Sequence, residues 1–243
     1  MRFRLTIEYD GANYCGWQLQ NGQDSIQGRI EAALAQLFGV SIRVYSAGRT
    51  DAGVHAHGQV AAFTAPRVLD PIELNRALNA LLPHDIAVRD AAIAPEDFDP
   101  RRSARSRVYE YRILNRSFRS AFAFRYAWLI REPLDFVLMR QAAAQFIGEH
   151  DFAAFRTLGS DEKTTVRRVD HSEWRREDDT LIYRVEASAF LRHMVRTMVA
   201  LMVEIGRSKL SPAAVGELIA SRDRAIAPAA APACGLFLME VRY

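Results

Sequence analysis

The densest polar chemistry in this 243-residue chain lies in residues 46–59, which read SAGRTDAGVHAHGQ. Three glycines separate an arginine, an aspartate and two histidines there, and predicted strands flank the segment on both sides. Loops that hold this much polar chemistry on a sheet scaffold often carry function, although a single Asp beside an Arg is more commonly a surface ion pair. The segment is therefore our candidate site, and its flanking strands place it on a sheet.

Apolar spacing around this segment predicts alternating strands and helices. Phe3–Tyr9 alternates apolar and polar residues, which predicts a half-buried strand. Asp70-Pro71-Ile72-Glu73 predicts a helix start with an acidic N-cap, and that helix should end near Pro83. The same reasoning gives further strands at Ile42–Val44, Gly58–Thr64, Ile86–Arg89, Val108–Leu114, Phe124–Ile130, Val166–Trp174, Leu181–Ser188 and Gly235–Tyr243. It also predicts helices over Ile26–Leu37, Leu134–Phe146 and Phe190–Ile205, the first two followed by Gly39 and Gly148. A last helix should begin after Ser211-Pro212, with Ser211 as its cap.

This order of elements predicts an α+β fold with a mostly antiparallel sheet and helices on one side. The order repeats loosely, which predicts two related halves that share one extended sheet and flank a central active-site cleft. We place the N-terminal half, with the Asp51 loop, at residues 1–105, and the C-terminal half at residues 106–243.

Composition is that of an ordinary folded domain, with 49% apolar and 25% charged residues. No apolar run is long enough to cross a bilayer, and the N-terminus lacks the features of a signal peptide, so we expect a cytoplasmic protein without membrane segments. Cys15 and Cys234 are far apart and predict no disulfide framework.

Basic charge is concentrated between Arg101 and Arg125, where eight arginines stand beside one acid, Glu110. The net charge of the whole chain is only +3, so this segment indicates a phosphate-binding surface. The alternative is a solvated face in an arginine-rich protein, since only two of the 32 basic residues are lysines. A bias toward arginine does not explain why acids are scarce in the segment.

The 46–59 segment is open to three chemical interpretations. The first is a metal site built from His55, His57 and Asp51, although the other histidines are scattered without the spacing of further ligands. The second is a glycine-rich phosphate loop, but the glycine spacing matches neither common phosphate-binding motif. The third is an isolated carboxylate that acts on a nucleoside.

Residues 48–55, GRTDAGVH, resemble the active-site signature of the pseudouridine synthases that act on the tRNA anticodon arm. Other segments resemble the same family in the same order along nearly the whole chain. These are Tyr9-Asp10-Gly11, Gly16-Trp17-Gln18, Asn79–Ile86, Arg107–Tyr111, Gly148–Phe152, Lys163–Arg167, Ala189–Arg196 and Ala233–Leu238.

The resemblance implies isomerisation of uridine to pseudouridine at tRNA positions 38, 39 and 40, without cofactor or metal. Asp51 would be the catalytic carboxylate, acting as nucleophile or base at the sugar. Arg49 lies two residues earlier and would share a face with Asp51 in extended backbone, where its charge would favour an ionised carboxylate. The resemblance also gives Arg49 a part in holding the flipped-out base.

The remaining site residues are also implied by the resemblance. Tyr109 would lie on the flipped base and take part in proton removal, and Leu236 would pack against the base from the other side. Arg101 and Arg102 would bind phosphates. Residues Gly159–Lys163 correspond to a further RNA-contacting segment of the family.

The family also implies a homodimer with one tRNA reaching across both subunits. Two other functions stay open at this point. One is a metal-dependent hydrolase using His55, His57 and Asp51. The other is a non-catalytic RNA-binding module that uses the Arg101–Arg125 segment.

Overall fold

The computed structural model describes residues 1–157 and 164–243, which form two compact units. Unit 1 comprises residues 1–105 and 237–243, and unit 2 comprises residues 106–236. The strands are β1 Arg2–Tyr9, β2 Tyr45–Ser46, β3 His55–Thr64, β4 Ile86–Ile93, β5 Ser106–Asn115, β6 Trp128–Ile130, β7 Gly148–Asp151, β8 Val166–Glu177, β9 Thr180–Ala187 and β10 Leu236–Arg242. The α-helices are α1 Ile26–Phe38, α2 Pro71–Leu81, α3 Phe136–Ala144, α4 Met194–Gly206 and α5 Ala214–Ser221.

The sheet of unit 1 has the strand order β4-β1-β3-β10, and β2 adds to β3. β1 pairs antiparallel with both β3 and β4, whereas β10 pairs parallel with β3. In β1 the alternate residues are buried, as the sequence predicts. The last strand of the chain belongs to unit 1, because Phe237 and Leu238 pair with His55 and Ala56, although we assigned it from sequence to the C-terminal half.

The two helices of unit 1 begin and end as their capping residues predict. The Asp70 carboxylate accepts hydrogen bonds from the amides of Ile72 and Glu73 at the start of α2. Gly39 ends α1 in the left-handed conformation, with φ of 73°.

The sheet of unit 2 has the order β5-β9-β8-β7, all antiparallel, and β6 pairs parallel with β5. Two of its helices pack on one face. The Ser172 hydroxyl donates to the carbonyl of Ala143 in α3 over 2.7 Å, and the Trp174 indole donates to the sulfur of Met202 in α4 over 3.0 Å. The prediction of an α+β fold with mostly antiparallel pairing is confirmed.

Two predicted boundaries in the first part of unit 2 are wrong. The strand predicted over Phe124–Ile130 is limited to β6, because the amide of Tyr126 closes a turn onto the carbonyl of Ala123. The helix predicted over Leu134–Phe146 ends at Ala144. Gly148 instead begins β7 with φ of 116°, a conformation that suits glycine.

Two more differences concern the last helices. α4 begins at Met194, four residues later than predicted, because His193 adopts the left-handed conformation with φ of 65°. Ser211 is not the cap of α5, which follows Ala213 without a side-chain cap. In the two described ranges, no helix is both long enough and apolar enough to span a membrane.

Candidate active site

Asp51 lies half-buried in the loop that joins β2 to β3 in unit 1. The amide of Val54 donates to the carbonyl of Asp51 over 3.2 Å and closes a tight turn. Gly53 occupies this turn with φ of 76°, in the region that a side chain rarely adopts. The loop conformation at Asp51 therefore depends on a glycine two residues later.

Both sides of Asp51 are attached to the segment that follows β1. The amide of Trp17 donates to the carbonyl of Thr50 over 3.0 Å, and the amide of Gly53 donates to the carbonyl of Tyr14 over 3.4 Å. The hydroxyls of Tyr9 and Thr50 are hydrogen-bonded at 2.8 Å in the interior. These contacts fix the backbone before and after the carboxylate.

Two glycines let the two segments approach this closely. A Cβ at Gly11 would stand 1.9 Å from the carbonyl oxygen of Val54. At Gly16, where φ is 105°, a Cβ would stand 2.6 Å from the carbonyl oxygen of Thr50. The Gly11 and Gly16 positions therefore require glycine for reasons of space, which the sequence alone did not reveal.

The phenol of Tyr9 is fully inside the protein, and burial raises its pKa to about 12 even though hydrogen bonds from Thr50 and Gln59 oppose the shift. Tyr9 therefore stays neutral at physiological pH. As a neutral phenol it can hold Thr50 through a hydrogen bond without placing a second negative charge near Asp51.

His55 begins β3 and is only 2% exposed. Its Nδ1 lies 3.0 Å from a carboxylate oxygen of Asp10 and 3.1 Å from the amide nitrogen of Gly11. Its ring stacks on Phe237 with centroids 4.7 Å apart, and the ring of His57 stacks on the same phenylalanine at 5.5 Å. The two histidines thus share a face of β3, but His55 Nδ1 is directed at Asp10 and Gly11.

The metal interpretation gains no support from this geometry. Within residues 1–157 and 164–243, no group of three or more His, Cys, Asp or Glu side chains could hold a metal ion.

Arg49 is exposed, Thr50 is buried and Asp51 is half-buried. The Arg49 side chain therefore lies in solvent, and the shared face of residues 49 and 51 stays a prediction.

Arg101 and Arg102 lie elsewhere in unit 1, in an exposed turn. Their backbone amides donate to one carboxylate oxygen of Asp99, over 2.8 and 3.0 Å. The hydrogen bond from the Arg102 amide is the main reason that the pKa of Asp99 lies below its usual value. The turn is thus organised by the backbone, and the exposed guanidinium of Arg102 extends into solvent.

Tyr109 and Leu236 belong to unit 2. Tyr109 lies in β5 opposite Val185 of β9, and its ring meets the edge of Phe190 at 5.0 Å. Leu236 is 6% exposed and follows Gly235, where a Cβ would stand 2.7 Å from the carbonyl oxygen of Arg112. Both residues are packed side chains with a fixed backbone.

The arginines between Arg101 and Arg125 do not all face solvent. Arg107 is buried and donates to the carbonyl of Ser188 over 2.8 Å. Arg112 lies 3.9 Å from buried Glu110, which also binds Arg175 and Arg184 at 3.2 and 3.0 Å. The segment therefore includes structural ion pairs as well as exposed charges.

Sequence reasoning missed the residues that hold the Asp51 loop. The only signal for them in the sequence was their place inside two segments that resemble the family. These segments contain Tyr9, Asp10, Gly11 and Gly16. The segment Gly159–Lys163 lies outside the described residues.

The chain matches the family model described as tRNA pseudouridine synthase over residues 5–101 and 142–243. It is 46% identical over 242 residues to tRNA pseudouridine synthase A of Geotalea uraniireducens, covering 100% of this chain and 99% of that protein. It is likewise 46% identical to tRNA pseudouridine synthase A of Myxococcus xanthus, covering 100% and 92%. Among solved structures, an archaeal box H/ACA sRNP Nop10–Cbf5 complex matches with a TM-score of 0.38 and 12% identity, covering 83% of this chain and 43% of that one.

Proposed function

The chain belongs to the tRNA pseudouridine synthase family, and we propose that it isomerises uridine to pseudouridine in tRNA with Asp51 as its catalytic carboxylate. The observation that carries this proposal is the 48–55 loop, GRTDAGVH, which holds one half-buried aspartate between immobilised neighbours in a chain similar to these enzymes over its full length.

The substrate that we propose is the anticodon arm, with uridines 38, 39 and 40 as targets. A stacked uridine exposes neither C1′ nor C5 to an enzyme, so the nucleotide must leave its stack before reaction. The exposed Arg101 and Arg102 would hold the phosphate backbone while this happens, and residues Gly159–Lys163 would make further contacts with the RNA.

The reaction breaks the N1–C1′ bond and forms a C5–C1′ bond after the uracil turns. The proton lost from C5 is balanced by the proton gained at N1, so the change is an isomerisation that needs no redox partner, energy source or cofactor. Asp51, as an anion near C1′, would act either by attacking the sugar or by removing a proton from it. Arg49 would favour the ionised form of Asp51 and help to hold the base.

Tyr109 and Leu236 would form the two walls of the base pocket. A flat, packed tyrosine offers a stacking surface for uracil, and its hydroxyl is suited to proton transfer at C5. An aliphatic side chain on the opposite side confines the base without competing for its hydrogen bonds. We further propose that the protein works in the cytoplasm as a homodimer, with one tRNA in contact with both subunits.

Pseudouridine mapping on unmodified tRNA transcripts tests this function. Purified wild-type protein is incubated with the transcripts in the presence of a chelator and without added nucleotide. Pseudouridine at positions 38–40 is the expected result. Cleavage of the tRNA that requires added zinc would instead support the metal-dependent hydrolase. Tight tRNA binding without any modification would support the binding module.

A further inference from the structure

We propose that His55 is a positioning residue for this reaction, which holds the Asp51 turn against residues 10 and 11. The inference rests on the proposed function for its catalytic consequence, but the structural part stands on contacts within unit 1. His55 is distinct from the groups that would touch the uridine.

His55 joins two segments that are more than forty residues apart in sequence. Its Nδ1 faces the Asp10 carboxylate at 3.0 Å and the Gly11 amide at 3.1 Å. One nitrogen serves only one of these partners at a time. When it carries a proton it donates to Asp10, and when it does not it accepts from Gly11. Each state links the start of β3 to residues 10 and 11.

The partner side of this contact is itself fixed. The amide of Asp10 donates to the carbonyl of Asp85 over 2.9 Å, and its carboxylate accepts from the amide of Ala12 over 3.0 Å. The face of the His55 ring stacks on Phe237 of β10. A buried imidazole between an anchored carboxylate and a stacked ring has little freedom to move.

The position of His55 is transmitted directly to Asp51. Val54 precedes His55, its amide bonds to the carbonyl of Asp51 over 3.2 Å, and its carbonyl lies against Gly11. A shift of His55 therefore shifts the turn. Displacement of a reacting group by about 1 Å can lower a rate on the order of 100-fold.

His57 provides a matched control. It lies on the same face of β3 and stacks on the same Phe237, but its side chain is 42% exposed and its Nδ1 lies 3.9 Å from Glu8. Loss of the His57 imidazole should disturb neither residues 10–11 nor the Asp51 turn.

The experiment compares His55→Phe, His55→Asn and His57→Phe in the full-length chain. Phenylalanine keeps the stacking and removes the hydrogen bond, whereas the Asn amide nitrogen can occupy the place of Nδ1. We measure single-turnover pseudouridine formation at saturating tRNA, tRNA affinity, and amide hydrogen exchange of residues 50–55.

We expect His55→Phe to lower the single-turnover rate by about 100-fold while tRNA affinity stays within about twofold. Its exchange at residues 50–55 should be faster than in wild type. His55→Asn should recover most of the rate and of the protection, and His57→Phe should match wild type. If His55→Phe does not fold, Asp10→Ala removes one of the two partners of Nδ1 at a more exposed position, and it should show a smaller rate loss and exchange that is faster than in wild type.

A folded His55→Phe protein with wild-type rate and wild-type exchange would overturn the inference. A His55→Asn protein that recovers neither the rate nor the protection of residues 50–55 would also overturn it. A wild-type protein that forms no pseudouridine would refute the proposed function instead. In that case the exchange data still decide whether His55 holds the turn.

Discussion

The loop that carries Asp51 and the segment that follows β5 are held in different ways. The loop is bonded at Thr50 and Gly53 to Trp17 and Tyr14, which are more than thirty residues distant. In residues 116–127 the hydrogen bonds of Arg116, Ser120 and Ala123 join residues within three positions, and Arg116 also lies 3.6 Å from the Asp179 carboxylate. That segment also exposes aromatic side chains, with Phe122 90% exposed.

The difference in how the two segments are held corresponds to a difference in what each must do. A carboxylate that must meet a sugar carbon needs a fixed position, and distant backbone contacts supply it. A segment with mostly local hydrogen bonds and exposed side chains contributes little to the folding free energy, because its side chains bury little surface. Substitutions should therefore be costly in the first region and tolerated in the second.

The largest effect on stability is expected for Gly11→Ala. The new methyl would stand 1.9 Å from the Val54 carbonyl oxygen, so backbone must move. We expect the free energy of unfolding to fall by about 3 kcal/mol, measured by urea titration. Gly48→Ala in the Asp51 loop is the control, because a Cβ there would meet nothing within 4 Å. Equal losses in the two variants would contradict the account.

The next effect concerns Tyr9 and alkaline pH. Its pKa is about 12 in the folded protein, above the ordinary tyrosine value of 10.0. A raised pKa means that the stabilisation is complete below pH 10 and is lost as pH rises toward 12. The difference between the two pKa values corresponds to about 2–3 kcal/mol in the free energy of unfolding. Tyr9→Phe should therefore lose less stability than wild type between these pH values, and unfolding titrations at both ends measure this.

Tyr9→Phe also has an effect at neutral pH. Removal of the hydroxyl leaves Thr50 without that hydrogen bond, at a cost of about 1 kcal/mol. Tyr111 and Tyr183 in unit 2 also have pKa values raised by burial, so wild type and variant should both keep some alkaline sensitivity. Parallel curves of unfolding free energy against pH for the two proteins would show that ionisation of Tyr9 does not affect stability.

A smaller effect is expected for Arg49→Gln. The side chain is exposed, so stability should stay within about 0.5 kcal/mol of wild type. The single-turnover rate should fall by about tenfold, because the neutral amide lacks the positive charge that would help to hold the base. An unchanged rate would make Arg49 an ordinary surface residue.

The smallest effect is expected for Phe122→Ser in the segment after β5. This side chain is almost fully exposed, so the free energy of unfolding should change by less than about 0.5 kcal/mol. Thermal and urea unfolding measure it. A loss as large as that of Gly11→Ala would break the contrast between the two regions.

Local features of the fold were predictable from sequence because they depend on neighbouring residues. The alternation in β1 and the Asp70-Pro71 start of α2 are examples. The left-handed His193 that delays α4 was not predictable, since nothing in the sequence marks a histidine for that conformation. The place of β10 in unit 1 depends on its pairing with β3, a contact between strands that lie far apart in sequence.

The candidate site shows the same division. Asp51 was identified because its neighbours carry a family signature within eight residues. The His55–Asp10 contact and the fit of Gly11 against Val54 join residues that lie more than forty positions apart. No local pattern predicts which distant glycine or carboxylate faces a given loop, so these contacts required the structure.

The central claim is that the Asp51 carboxylate carries out the isomerisation, and its most direct test is single-turnover pseudouridine formation by Asp51→Asn beside wild type. The amide preserves the size of the side chain and removes its charge. With equal tRNA affinity and thermal stability, we predict complete conversion by wild type and no product above background from Asp51→Asn. Product that accumulates with Asp51→Asn at a rate comparable to wild type would contradict the claim.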